Sequence, residues 1–310
     1  MFLHELQRYI KLRFGQKMSM LKIDCMVEQI LLLPLLGFRA VIAALLVYGS
    51  TRWQSISKAI RTSLETARSP IKPKFYDPKE LETLPAPVRR YFDAVLKQGQ
   101  PIISAVSLEQ TGSLNISESG NQWKPFIATQ RVITKRPGFD WEARVTVMPG
   151  VKVRVHDAYI AGEGILDVSL FGLLSLANSR GTPEMAQGEL IRFVAEQVWY
   201  PTALLPSQGL EWEAVDDSSA TATLKDGEIT VTLLFRFNDS SLIDSVSAQA
   251  RGRAVAGAMI PTPWEARCSK YELRDGMRIP LDGEVAWILP NGPKPYWRGC
   301  ITKLDYEFAQ

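Results

Sequence analysis

Two polar sets in this chain of 310 residues hold side chains of the kinds that do chemistry. Arg144, Arg154, His156 and Asp157 lie within one short stretch. An arginine fork grips carboxylate or phosphate oxygens, and an imidazole changes charge near neutral pH, so this set suits an anionic headgroup. The simpler expectation is the solvated face of an antiparallel strand. Glu189, Arg192 and Glu196 recur at helical spacing. Two carboxylates tuned by an arginine are the material of general acid–base catalysis. Nothing in the sequence puts them in a cleft, so a surface ion-pair ladder of small net effect is expected instead. No Ser-His-acid order can be singled out, and the GEG at 162–164 lacks the strand–helix context of a phosphate loop. Two His and three Cys show no metal-ligand spacing. No catalytic residue, metal or cofactor is therefore expected.

The elements that must carry these residues are strands. From 102 onward, short alternating segments separated by turn signals dominate. Around Asp226-Gly227 the pattern pairs Lys225 with Glu228, Leu224 with Ile229 and Ala222 with Val231. In WEARVTVMPGVKVRVHDAY a three-residue loop, Pro149–Val151, aligns Trp141 with Tyr159 and Val145 with Val155 on one face. Arg144 then stands beside His156, and Thr146 beside Arg154, on the other. A loop of Arg274–Gly276 sets Tyr271 against Ile279 and Glu272 against Arg278. Strands at 264–273, 277–289 and 296–308 form a meander, which puts Cys268 and Cys300 two strands apart, about 9–10 Å. A disulfide needs a shorter span, so both thiols are expected free. Thr182-Pro183-Glu184 caps a helix running to about Val198, with Ala186, Leu190, Phe193, Val194 and Val198 on one stripe. Before it, 165–178 reads as a strand running into a short helix. The expected fold class is mainly β (α+β): one large, strongly curved, half-barrel-like antiparallel sheet with a helical insertion at about 165–198, plus an N-terminal transmembrane helix.

That last element rests on the run 30–49, ILLLPLLGFRAVIAALLVYG, which has the length to span a bilayer despite Arg39. Residues 1–74 carry twelve Lys/Arg against four Asp/Glu, and 75–310 carry twenty-four against twenty-nine. Positive charge beside an apolar run suits an anionic membrane surface, while a mildly acidic body argues against a nucleic-acid partner. Both flanks of the run are basic, so the positive-inside rule leaves the side of the body domain open. The expected organisation is a basic segment at 1–29, a single transmembrane helix at 30–49, and a juxtamembrane helix with a Pro-rich linker at 50–87. An antiparallel domain at 88–310 follows, its opening helix at 88–98 ending at Gly99.

Aromatic–proline clusters stand out: VWYPTALLPS at 198–207, PTPWEAR at 261–267 and KPYWRG at 294–299. They suit a rigid ligand platform or, more simply, caps on the ends of long strands. Together with RDGMRIPLDGEVAW at 274–287 they resemble a family of bacterial membrane-associated proteins of unknown function, over about 85–308. The body is also similar in architecture to the periplasmic lipoprotein-carrier fold, an open half-barrel over an apolar cavity. The function expected is non-catalytic binding of a lipid or other apolar molecule at the membrane. Its expected lining is Trp141, Arg144, Val145, Arg154, Val155, His156, Tyr159, Glu189, Phe193, Trp199 and Tyr200. The alternatives are a hydrolase using Glu189, Glu196 or His156, and an envelope scaffold.

Overall fold

The computed structural model describes residues 36–118, 120–255 and 257–310. The chain divides into two compact units, Met1–Arg52 and Trp53–Gln310. In the first, 36–52 is helical and its apolar side chains, including Leu36, Phe38, Val41, Leu45 and Val47, are exposed. Among the described residues no helix is long and apolar enough to cross a membrane. The basic segment 1–29 and residues 30–35 of the apolar run lie outside the described residues.

The second unit is built on one antiparallel sheet of thirteen strands. In chain order these are β1 (Ile103–Asn115), β2 (Trp123–Ile133), β3 (Gly138–Met148), β4 (Val151–Ile160), β5 (Glu163–Leu170), β6 (Leu174–Arg180), β7 (Glu211–Asp216), β8 (Ser219–Asp226), β9 (Ile229–Phe237), β10 (Ile243–Val255), β11 (Ala258–Arg274), β12 (Met277–Leu289) and β13 (Gly292–Phe308). The spatial order is β6-β5-β4-β3-β2-β1-β13-β12-β11-β10-β9-β8-β7, so β1 and β13 join two meanders and the sheet does not close. Helix α1 covers 53–67, α2 is Ala86–Val95 and α3 is Pro183–Glu196.

One helix proves the curvature. Helix α3 touches β3, β4 and β5 and also β9 and β10. Strands β5 and β10 stand eight strand spacings apart, about 38 Å on a flat sheet. A helix of 14 residues is about 21 Å long and 10 Å wide. The sheet must therefore fold over α3, and Tyr159 Oη on β4 donates across the gap to Asp226 Oδ2 on β8 at 2.7 Å. The concave side also takes α2, which buries Val88, Tyr91, Phe92 and Val95. Thr182 caps α3 as its sequence demands, its hydroxyl accepting from the Met185 N–H at 3.3 Å. Helix α1 lies on the opposite, convex face, with Ile60 and Leu64 packed on Ala105, Ile133, Ala158, Ile160 and Ile165. The proline-rich stretch after it is packed too: Ile71, Tyr76 and Leu81 join the main core, where a stiff linker was expected.

The sequence registers need correction in detail. At Asp226 the two-residue turn is Gly227-Glu228, with Gly227 at φ 61, so Leu224 faces Val231 and Ala222 faces Leu233. The offset from the expected pairing is two residues, which keeps every side chain on its face. At Pro149-Gly150 a two-residue turn forms and a bulge at Val147 restores the alternation, so Val145 faces Val153 and Arg144 faces Arg154. At Asp275-Gly276 both turn residues have positive φ, 46 and 81, as a type I′ turn requires. Glu272 then faces Ile279 and Tyr271 faces Pro280. The segment expected to become a short helix before α3 is instead β6, an edge strand exposed along its length. Cys268 and Cys300 do lie two strands apart, and both thiols are free.

Candidate functional site

Between α3 and the concave face of β10–β13 lies a cavity of about 260 Å³. Its walls are aromatic: Trp141, Trp199, Trp264, Trp287 and Trp297 line it, five of the eight tryptophans in the chain. Leu114, Ala195, Val198, Ala266 and Val285 fill the gaps between them. Gly299 makes one wall possible, because a Cβ there would stand 2.4 Å from the Trp297 ring. Cys268 also lines the cavity; burial pushes its thiol up to about 12, so it is an apolar surface rather than a nucleophile.

The lining is polar where the exposed Arg267 and half-buried Glu284 border it, and again at a buried end. Arg192 on α3 donates to Asp157 Oδ2 on β4 and to Glu196 Oε1, both at 2.7 Å. Its guanidinium lies over the rings of Phe139 and Trp141, 4.7 and 5.2 Å from their centroids. Gln130 donates to the other Glu196 oxygen. Arg251 on β10 donates to the Gly188 carbonyl at 3.0 Å, to Tyr296 Oη at 3.0 Å and to Glu189 Oε1 at 3.3 Å. It stacks against Trp264, whose Nε1–H donates to the same Tyr296 oxygen at 2.9 Å. The expected surface ladder on α3 is therefore wrong. Strand β4 and the folded-over β10 enclose Glu189, Arg192 and Glu196, and buried charges persist only when paired in this way.

Burial pushes the Glu189 carboxyl up to about 8; Asp157 and Glu196 add to the rise, and Arg251 and Arg192 oppose it only in part. Arg251 shares its charge with Tyr296 and a carbonyl, which explains the incomplete compensation. The folded protein thus holds a proton that an unfolded chain releases above its ordinary carboxyl value of 4.5. Stability from this group is full below that value and is lost as pH rises through about 8. Glu189→Gln, which cannot ionise, is expected to gain on the wild type by a few kcal/mol between those limits. Urea-unfolding midpoints of both proteins across this range check it; parallel profiles would mean that Glu189 is ionised throughout.

The other polar set divides. Asp157 faces the cavity, while Arg144 and Arg154 lie on the convex side and Arg144 is exposed. His156 is not solvated as expected but fully buried under α1. Its Nδ1 meets Asp140 Oδ1 at 2.8 Å and its Nε2 meets Ser57 Oγ at 2.8 Å. Trp53 stacks on the imidazole at 4.7 Å and 17° and donates Nε1–H to Glu142 at 2.8 Å. Arg61 reaches Asp140 and Glu142 at 3.3 and 3.1 Å. The Ser-His-Asp order and distances are those of a hydrolytic triad. Ser57, however, is buried inside a helix, its hydroxyl donates to the Trp53 carbonyl at 3.1 Å, and the amides of its own helix are committed to the helix ladder rather than to an oxyanion. The cluster pins α1 to the sheet.

Of the residues expected to line a site, Trp141 and Trp199 border the cavity and Glu189 bonds its Arg251. Tyr159, Phe193 and Tyr200 are fully buried core, with Val145 buried and Val155 half-buried beside them. Arg144, Arg154 and His156 belong to the other face. The sequence reading missed Arg251, Trp264, Trp287, Tyr296 and Trp297. The signal for three of them was present: Trp264, Tyr296 and Trp297 stand in the aromatic–proline clusters that suit a ligand platform or strand-end caps, and they line the cavity from within β11 and β13.

Fold and site define an open antiparallel sheet folded over a helix around an aromatic cavity with a paired-charge end. The chain belongs to DUF6920, a family of unknown function, whose profile matches residues 82–306. That span contains all four of the phrases that carried the resemblance in the sequence. Comparison with curated proteins found no match. Three solved structures are similar at a distance. A DUF1329 family protein from Desulfovibrio piger has 13% identity, with 66% of this chain and 86% of that one covered and a TM-score of 0.36. An outer membrane lipoprotein-sorting protein domain assigned in Vibrio parahaemolyticus has 9% identity, 66% and 85% coverage and a TM-score of 0.34. A LolA superfamily protein from Nitrosomonas europaea has 11% identity, 70% and 92% coverage and a TM-score of 0.29.

Proposed function

We propose that this protein is a single-pass, membrane-anchored, non-catalytic binding protein for a lipid or other apolar molecule. The cavity carries the reading: about 260 Å³ of largely aromatic space, near the lower end of small-molecule sites. An apolar ligand needs only concavity and buried area, at about 25 cal/mol per Å². A methylene fills about the volume of a water molecule, roughly 30 Å³, so the cavity suits a chain of about eight to ten carbons. The anchor is supported by the apolar run at 30–49, by its basic flanks, and by the exposed apolar side chains at 36–48, which favour lipid surroundings. The hydrolase alternative required Glu189, Glu196 and His156 to converge, and they stand on opposite faces of the sheet. An envelope scaffold has no use for the cavity. The test is titration of full-length protein in amphipol with 10-bromodecanol, whose bromine quenches tryptophan on contact. Saturable quenching at one equivalent is expected; a linear, unsaturable response would overturn the proposal.

A further inference from the structure

The charge pairing at the polar end selects among apolar ligands by headgroup, an inference that rests on the binding function proposed above. We infer that the cavity takes an uncharged amphiphile, its head a hydroxyl, ester or amide, in preference to a fatty acid anion. Tyr296 is the first reason. Its oxygen already accepts from Arg251 and from Trp264, which occupies both lone pairs. Its own hydrogen has no acceptor among the described residues, so it is free to donate to a ligand oxygen. Asp157 is the second. Only Oδ2 is held by Arg192, and Oδ1 is open to a donor from the ligand. A hydroxyl head can accept from the first or donate to the second.

Charge balance disfavours the anion. Arg192 is matched by Asp157 and Glu196 within one bonded group. Arg251 stands among Glu189, Tyr296 and the Gly188 carbonyl. Of the five charged or titratable side chains gathered here, three are acidic and two basic. With Glu189 protonated or ionised the set carries no net positive charge, and Arg267 and Glu284, which also border the cavity, add one charge of each sign. A carboxylate head therefore meets no net positive charge and would enter a poorly hydrated site beside Asp157 and Glu196.

The same bromodecanol assay on full-length protein decides this, with decanol, monodecanoylglycerol and decanoate as competitors at pH 7. Decanol and monodecanoylglycerol are expected to displace the probe at concentrations at least tenfold below decanoate. Tyr296→Phe should weaken decanol about fivefold, the share of one neutral hydrogen bond. Glu196→Gln removes one negative charge and should tighten decanoate at least threefold, a gain that misfolding cannot mimic. Decanoate binding as tightly as decanol, or both variants matching the wild type, would overturn the headgroup inference while leaving apolar binding intact. Absence of saturable quenching would remove the binding function and this inference with it.

Discussion

Asp140→Ala is expected to lower the unfolding free energy by about 3 kcal/mol and to free α1 from the sheet. The carboxylate is fully buried and accepts from His156 Nδ1 at 2.8 Å and from Arg61 at 3.3 Å. Removing it strands the His156 donor in a dry place and takes one partner from Arg61. Breaking a buried pair from one side costs about 3–5 kcal/mol, and the half-exposed Arg61 can turn to water, which holds the cost to the lower end. Replacing both partners, Asp140→Leu with His156→Phe, should recover most of the loss, because an aromatic ring keeps the stack on Trp53 and leaves nothing unpaired. Urea unfolding gives the free energies, and amide exchange over 53–67 reports the helix. A loss below about 1 kcal/mol for the single variant, with protected amides in 53–67, would show that apolar contacts alone hold α1.

Ala266→Trp is expected to abolish ligand binding, by at least about a hundredfold, or about 2.7 kcal/mol. Ala266 is half-buried on β11 and faces the cavity among Trp264, Trp287 and Trp297. An indole added there occupies the space a decyl chain needs. Small-to-large changes are costly in packed interiors, but this one grows into an existing void, so the midpoint of unfolding should move little. The measurement is the bromodecanol titration of variant and wild type side by side. Equal affinities would place the ligand elsewhere.

The β class, the meander of β11 to β13 and the capped helix α3 were legible because they rest on local rules: alternation, turn glycines and a Thr-Pro-Glu start. The cavity was not, and bulges are the physical reason. In β10, Val246 and Ala248 point inward, and strict alternation would turn Arg251 to water. The register slips between Ala248 and Arg251 and aims the guanidinium into the cavity. In β12 and β13 the register slips at Val285 and Ala286, so that the neighbours Tyr296 and Trp297 both line the site. His156 was hidden differently. Its partners Ser57 and Asp140 lie 99 and 16 residues away, and only the return of α1 onto the convex face joins them. The charged stripe on α3 looked like a surface because nothing in the sequence shows that a sheet folds over it.

The central claim is that the aromatic cavity holds an apolar molecule in the cell. Native mass spectrometry of full-length protein purified from its own cells, with organic extraction of the same sample, measures this directly. The account predicts one equivalent of an uncharged amphiphile bound to the wild type and none bound to Ala266→Trp. A well-folded wild type with no bound molecule, or equal occupancy in both proteins, would contradict it.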